Sequence, residues 1–268
     1  HYDAPFLGTP YTVAVLQNML KDDGKHLKNK MHSLPSGSSY RVGDVEIEFI
    51  RATHSVPHSA MVAVHTKEGT ILYTNDYKFD DHPLVGKRPD YERLRELGKE
   101  GVKLLVTDSL YCGSYRKTPS ERVAKEMLSD VFYDIENERG TIFVTCFASH
   151  LARLKSLVEL GEKIDRKVVF VGRSLQKYVH AAESINLLRF TDRVVLYSGR
   201  EGSKRIFSKI QKEGKGKYLV VCTGGQGEPN SILSRLMRNM LSFSFDKGDS
   251  VIFSNRVIPV EPNTSNRQ

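Results

Sequence analysis

No run of eighteen or more apolar residues occurs in this sequence, so nothing in it reads as a membrane-spanning helix. Cysteine is scarce, and Cys112, Cys146 and Cys222 are odd in number and widely spaced. No Cys-x-x-Cys pair offers a zinc ligand set. Each cysteine sits in or beside an apolar strand pattern, and all three are expected to be buried free thiols in a reducing cytoplasm. No internal repeat or low-complexity segment stands out. The loop Gly224-Gly225-Gln226-Gly227 is neither a Walker loop nor a Rossmann fingerprint, because the spacing and the Lys-Ser/Thr ending are missing. At the start, His1-Tyr2-Asp3-Ala4 lacks a methionine and also the basic head and apolar core of a signal peptide. The chain is therefore expected to be a piece of a longer protein.

The 268 residues present are enough for two domains or one large one, and 39% apolar with 27% charged residues describes a soluble globular chain. The net charge of +8, with an isoelectric point near 9.3, is compatible with a polyanionic partner, although basic proteins of many kinds share it.

The clearest pattern runs through residues 45–108. Val45-Glu46-Ile47-Glu48-Phe49 alternates apolar and polar as a half-buried strand does, and it delivers His54 just past its end. Residues 61–65 and 71–74 read as two further strands around the short loop Lys67-Glu68-Gly69, and the second ends on Asn75-Asp76. Residues 102–106 read as a buried strand ending in Thr107-Asp108-Ser109. Imidazole and carboxylate groups at neighbouring strand tips are the ligand types of a hydrolytic metal site. Each also has a structural reading: a hydrogen-bonded strand-end histidine, an Asx turn at Asn75-Asp76, an N-cap at Asp108-Ser109. His58, His65, His82 and His180 read as structural or surface residues. Upstream, Thr9 and Pro10 open a helix over residues 11–20, and residues 21–39 read as a basic loop. Asp90 caps a helix that ends at Gly98.

From about residue 115 the rhythm changes to regular alternation. Helices at 120–132, 149–161, 174–185, 202–213 and 229–240 alternate with strands at 141–147, 167–171, 194–197, 218–222 and 250–254. Such alternation predicts a mostly parallel sheet flanked by helices, hence an α/β chain with domains at 1–114 and 115–268. Ligands of open parallel sheets bind at the carboxyl ends of strands. Three loops there carry glycine or basic residues: Phe147-Ala148-Ser149-His150, Val171-Gly172-Arg173-Ser174 and the Gly224–Gly227 loop with Gln226. Glycine lets backbone amides approach an oxyanion, and His150, Arg153 and Arg173 add donors. The basic run of residues 200–217 either extends that wall or is a solvated helix face.

Together these motifs resemble the metallo-β-lactamase-fold nucleases of the β-CASP family, most closely ribonuclease J of archaeal type. Thr53-His54-Ser55-Val56-Pro57 is similar to the family's third metal motif and Thr74-Asn75-Asp76-Tyr77-Lys78-Phe79-Asp80 to its fourth. Thr107-Asp108-Ser109 resembles the first acidic β-CASP motif, with Thr118-Pro119-Ser120-Glu121 in register. Phe147-Ala148-Ser149-His150, the Cys222–Pro229 stretch and Ile252-Phe253-Ser254 with Val257-Ile258-Pro259 resemble further landmarks. Departures accompany the match. The His-x-His-x-Asp-His motif and the two late histidine motifs are absent, Asn75 stands where the family usually has glycine, and His58 stands where aspartate is common in bacterial members.

The resemblance implies part of a metallo-β-lactamase αββα sandwich followed by an inserted β-CASP domain. It implies two zinc ions in the complete protein, about 3.5–4 Å apart, with Asp76 bridging both and His54 completing one shell. A metal-bound hydroxide would attack the scissile phosphorus, and Asp108 would orient a metal ligand or manage the leaving-group proton. The β-CASP half would clamp single-stranded RNA, and Ser149, His150, Gln226 and Arg173 would anchor a 5′-monophosphate. The implied protein is a cytoplasmic 5′-to-3′ exoribonuclease, a homodimer or higher homo-oligomer without membrane attachment. The rival readings are an endonuclease of the cleavage-and-polyadenylation type, whose acidic motif usually carries glutamate, and a non-catalytic RNA clamp. A small-molecule hydrolase is disfavoured, because such enzymes lack the inserted α/β half.

Overall fold

The computed structural model describes residues 4–25, 27–115, 117–135 and 139–255; Val257, Ile258 and Pro259 lie outside them. The described residues divide into two compact units. One comprises His1–Ile135, Ser149–Leu157 and Lys177–Arg193, the other Glu136–Ala148, Val158–Gln176 and Val194–Gln268.

In the first unit, β1 (Phe6–Gly8) leads through Thr9 into α1 (Pro10–Asp22), with proline at its first turn where a missing amide costs nothing. Residues 21–39 are not the loop expected. They hold the end of α1, the strand β2 (Met31–Ser33), which pairs in parallel with β1, and the start of β3 (Ser38–Val42). Polar, basic composition hid these short strands, because pairing with a neighbour decides them rather than local pattern.

Strands β3, β4 (Val45–Arg51), β5 (Ala60–Thr66), β6 (Gly69–Tyr73) and, after α2 (Tyr91–Glu100), β7 (Val102–Val106) make a five-stranded sheet in chain order. Its pairs are antiparallel except β6 with β7. Alternation along β4 sends Ile47 and Phe49 to one face, where they pack with Leu34, Ala60 and Val62. The other face carries Ile50, Ala63 and Leu72 against Leu97 of α2. Glu48 shares that second face, and its charge is met by Arg93 of α2 at 2.8 and 3.1 Å and by His65 at 2.9 Å. Asp90 caps α2 by accepting from the Arg93 amide. The expectation of a buried strand at 102–106 is corrected: β7 is an edge strand, and Leu104, Leu105 and Val106 are exposed. An apolar run does not reveal whether a neighbour covers it.

Helix α3 (Glu121–Asp134) also belongs to this unit, with Ser120 accepting from the Val123 amide at its start. Helices α4 (Leu151–Lys163) and α5 (Arg173–Ser184) each contribute residues to both units.

The second unit is a five-stranded, wholly parallel sheet. Its strands are β8 (Ile142–Thr145), β9 (Lys167–Val171), β10 (Val195–Tyr197), β11 (Tyr218–Cys222) and β12 (Ser250–Phe253), in the order β10-β9-β11-β8-β12. Every residue of β11 is buried, as a central strand covered on both faces requires. On one face Phe143, Val169, Val220 and Cys222 pack against Ile206, Phe207 and Ile210 of α6 (Gly199–Glu213) and Leu233 and Leu236 of α7 (Ile232–Met237). On the other face the last turns of α4 approach so closely that a Cβ on Gly161 would stand 2.4 Å from Val168 Cγ2. The helix expected over 229–240 is only the six residues of α7, because Pro229 and the glycine loop before it occupy the start. Among the described residues no helix is long and apolar enough to cross a membrane.

Candidate active site

The loop after β4 and the loop after β6 are tied to each other by Thr53. Its backbone carbonyl accepts from the Lys78 amide at 2.8 Å, and its hydroxyl donates to the Lys78 carbonyl at 2.5 Å and accepts from the Asp80 amide at 3.1 Å. These bonds bring the two metal-type motifs into one place. Asn75 stands at φ 53° and donates to the Ala60 carbonyl at 2.8 Å. That left-handed backbone explains why glycine or asparagine fits here. His58, at φ 57°, occupies another such position, which histidine and aspartate both tolerate better than most residues.

His54, although exposed along one edge, has its imidazole pushed below the ordinary range by burial. His150 and Lys78 lower it further, while Asp76 and Asp108 oppose them. The residues named from the sequence as His54, Asp76, Asp108 and His150 thus share one electrostatic neighbourhood. Asp76 and Asp108 are exposed. Asp108 does not cap a helix; one of its oxygens accepts from the Leu110 amide at 2.9 Å and closes a turn.

Beneath them lies a buried charge cluster. Glu121 receives Lys78 Nζ at 3.0 Å, Arg153 Nη2 at 3.2 Å and His150 Nε2 at an ion-pair distance of 3.2 Å, off the line of a hydrogen bond. Asp80 accepts the Glu121 amide at 2.9 Å and the His82 amide at 2.8 Å, and lies 3.3 Å from Lys78 Nζ. Burial alone would raise the Glu121 carboxyl. His150, Arg153 and Lys78 reverse that and hold it far below the ordinary carboxylate range. Glu121 therefore fixes His150 and Arg153, on the first turn of α4, to the β6 loop.

A cavity of about 400 Å³ opens beside this cluster, lined by His54, His58, Asp80, Glu121, Arg51 and Leu84 among others. Among the described residues, His58 Nδ1 is buried without a hydrogen-bond partner. The donor types suit a metal: a neutral imidazole at His54 and an exposed carboxylate at Asp76. No three metal-ligating side chains converge among the described residues, however, so those residues supply at most part of a ligand set.

In the second unit, Arg173 is exposed at the start of α5 and Gln226 is half-buried in the loop after β11. Val171 and Cys222 are register partners, so both loops leave the same sheet edge at the same level. The expected open oxyanion loop is corrected in one respect. The Gln226 amide donates to Glu228 Oε2 at 3.0 Å, so a carboxylate of the loop itself occupies that donor. Gly224, at φ 130°, is there for packing: a Cβ would stand 2.7 Å from Leu233 Cβ. Ser149 and His150 belong to the first unit, Arg173 and Gln226 to the second.

Sequence reasoning passed over Lys78, Asp80, Glu121 and His58 as site residues, and read Arg153 as an oxyanion donor rather than as a partner of Glu121. Lys78 and Asp80 lay within a quoted motif, and Glu121 followed a helix cap, but a buried ion cluster leaves no local period. The basic run 200–217 is partly absorbed by the fold. Lys215 is paired with Asp246 and Asp249, Lys209 with Glu213, and Arg205 lies over Tyr197. Cys146 and Cys222 are buried as expected, whereas Cys112 is exposed on the turn after Asp108.

Comparison with known proteins meets this geometry from outside. The family model for the ribonuclease J β-CASP domain matches residues 139–267. The chain is 40% identical over 270 residues to ribonuclease J of Pyrococcus abyssi, covering 100% of this chain and 59% of that protein. It is 37% identical over 268 residues to ribonuclease J of Methanocaldococcus jannaschii, covering 99% and 60%. To ribonuclease J of Sinorhizobium meliloti it is 30% identical over 263 residues, covering 96% and 43%. The chain thus spans about 60% of the length of the archaeal relatives. A crystal structure of a protein of unknown function from Enterococcus faecalis matches 92% of this chain and 65% of its own, with a TM-score of 0.54 and 14% identity, a likeness of fold alone. By these matches the chain is similar to archaeal ribonuclease J proteins over nearly its whole length, and its residues 139–267 match the ribonuclease J β-CASP domain.

Proposed function

We propose that this chain is part of a zinc-dependent ribonuclease that hydrolyses phosphodiester bonds of single-stranded RNA. It acts 5′ to 3′, prefers 5′-monophosphate ends and works in the cytoplasm as a homodimer or larger homo-oligomer. Residues 1–114 are its partial metallo-β-lactamase sandwich and residues 115–268 its β-CASP domain. The observation that carries the reading is the meeting of His54, Asp76, Asp108 and His150 in one electrostatic neighbourhood beside a cavity.

Each residue has a task that its surroundings support. Burial favours the neutral form of His54, so its lone pair is available to a metal near neutral pH. Asp76 offers an exposed carboxylate able to bridge. When bound, zinc would supply Lewis-acid polarisation of the scissile phosphate. Asp108, with one oxygen tied to Leu110, presents its position firmly enough to orient a neighbouring group. His150, held by Glu121, would receive an RNA phosphate, with Ser149 beside it. Arg173 and Gln226 serve the same ligand class from the second unit. Asp108, where the endonuclease rival usually carries glutamate, favours the exonuclease.

The test uses the full-length protein and 3′-labelled RNA bearing a 5′-monophosphate or a 5′-triphosphate. Mononucleotide release that favours the monophosphate and disappears on chelation or in Asp76→Ala is the expected result. Internal cuts indifferent to the 5′ end would transfer the assignment to the endonuclease. Salt-sensitive RNA binding without cleavage would leave the clamp alone.

A further inference from the structure

The loop that follows β6 carries a second concavity in the first unit. This groove, about 650 Å³, is lined by Arg51, His82, Lys87, Arg88 and Arg122, with Asp81 as the carboxylate among its described lining residues. It shares Arg51, Pro83, Leu84, Gly86 and Lys87 with the cavity beside His54, so the two adjoin.

The balance of charge in the groove is uneven. Asp81 is already engaged, accepting from Tyr91 Oη at 2.8 Å with Lys117 at 3.8 Å. Arg51 is bound into the fold, since its Nε donates to the Arg88 carbonyl at 2.8 Å and its Nη2 lies 3.7 Å from Asp90. Arg122 meets Glu126 only at 3.7 Å, on an open surface. Lys87 and Arg88 make no ion pair among the described residues. Three cations therefore face the groove with weak partners or none among the described residues, Glu126 meeting only Arg122 and Asp81 being engaged elsewhere. A ligand with repeated negative charge would answer them.

The same lining says which part of such a ligand is read. Beside the charged residues it offers Pro83, Leu84 and Gly86, and among its described lining residues the His82 imidazole is the one aromatic ring on which a base could stack. Contacts here fall on phosphates, which position a strand without reading its sequence.

We propose that this groove is a phosphate track that extends the His54 cavity and holds the backbone of single-stranded RNA flanking the cleavage site. The proposal rests on the ribonuclease reading of that cavity and adds to it a binding site made by Lys87, Arg88 and Arg122. The track makes affinity depend on RNA length, because only a strand longer than the cavity reaches it.

The test compares full-length protein with its Lys87→Ala/Arg88→Ala/Arg122→Ala variant, both in an Asp76→Asn background so that RNA persists. Binding of a long fluorescent oligouridylate and of a uridine dinucleotide is measured by anisotropy across a salt series. All three side chains are on the surface of a loop or helix end, so the fold is expected to survive, as a thermal melt will show. The variant is expected to bind the long RNA about tenfold more weakly. Its slope of log affinity against log salt should be shallower by about 2, at about 0.7 per phosphate contact. The dinucleotide should be unaffected. Equal affinity and slope for the long RNA in parent and variant overturns the track while leaving the ribonuclease reading in place. Equal loss for long and short RNA places the effect in the cavity and also overturns it. A parent that binds neither RNA removes the ribonuclease reading, and the track with it.

Discussion

In the second unit the fully buried positions belong to Phe143, Phe207, Val220 and Cys222, whereas in the first they extend to Asp80, Glu121 and His150, with Lys78 and Arg153 nearly enclosed. The parallel sheet rests chiefly on apolar contact, with buried Arg166 donating to the Gly140 and Tyr218 carbonyls and Lys215 meeting buried Asp249 at 2.8 Å. Its rings stack edge to face, Phe143 with Phe243 at 5.1 Å and Phe207 with Phe243 at 5.8 Å, and its thiol Cys222 is pushed by burial, with Cys146 nearby, well above the ordinary thiol range. The first unit gathers its dehydrated charges into one cluster, which is costly unless each finds a partner, and it does so beside the His54 cavity. It also leaves β7 uncovered. The core of one unit is chiefly apolar, and the other gathers its buried charge beside the candidate site.

The comparison can be broken from its apolar side first. Phe143→Ala should cost about 3–5 kcal/mol, the range for emptying a buried aromatic site. Denaturant unfolding will measure it, and a loss under about 1 kcal/mol would mean the sheet's core is not the self-sufficient part.

Glu121→Gln comes next. It keeps the shape but leaves Lys78, Arg153 and His150 without their carboxylate, and should cost about 3 kcal/mol. This difference should also depend on pH. The folded-state carboxyl titrates below its unfolded value, so its stabilisation is complete above about pH 5 and falls as the pH drops through about 4.3 towards the folded value. The gap in unfolding midpoint between parent and variant should therefore narrow on acidification. A gap that stays constant from neutral pH to pH 3 would show that Glu121 acts through packing rather than charge.

Leu105→Lys, on the exposed strand β7, should change the stability of this chain by no more than about 0.5 kcal/mol. A cost several times larger in a thermal melt would mean that β7 is covered in solution.

Much of this was legible in the sequence, and the reasons differ by element. The alternation in β4 gave the strand, its face and the position of His54, because a period of two needs no partner to be read. The β-α alternation beyond residue 120 predicted the parallel sheet, since short connections leave few topologies. Asp90, Ser120 and Pro10 announced their helices through capping chemistry. Strands β2 and β3 and the exposure of β7 were not legible, because pairing and covering are decided by residues far away in the chain.

The site divides in the same way. Residue type at strand ends singled out His54, Asp76, Asp108, His150 and Arg173, because imidazole, carboxylate and guanidinium carry their chemistry locally, and the family resemblance added Ser149 and Gln226. Only the tertiary structure decided that Lys78, Asp80, Glu121 and Arg153 cluster with His150, that Glu228 takes the Gln226 amide, and that Lys87 and Arg88 make no ion pair among the described residues. The physical reason is that charge acts through space. An ion pair between residues forty-odd positions apart, such as Lys78 and Glu121 at 3.0 Å, leaves no trace in either residue's own neighbourhood until the chain has folded.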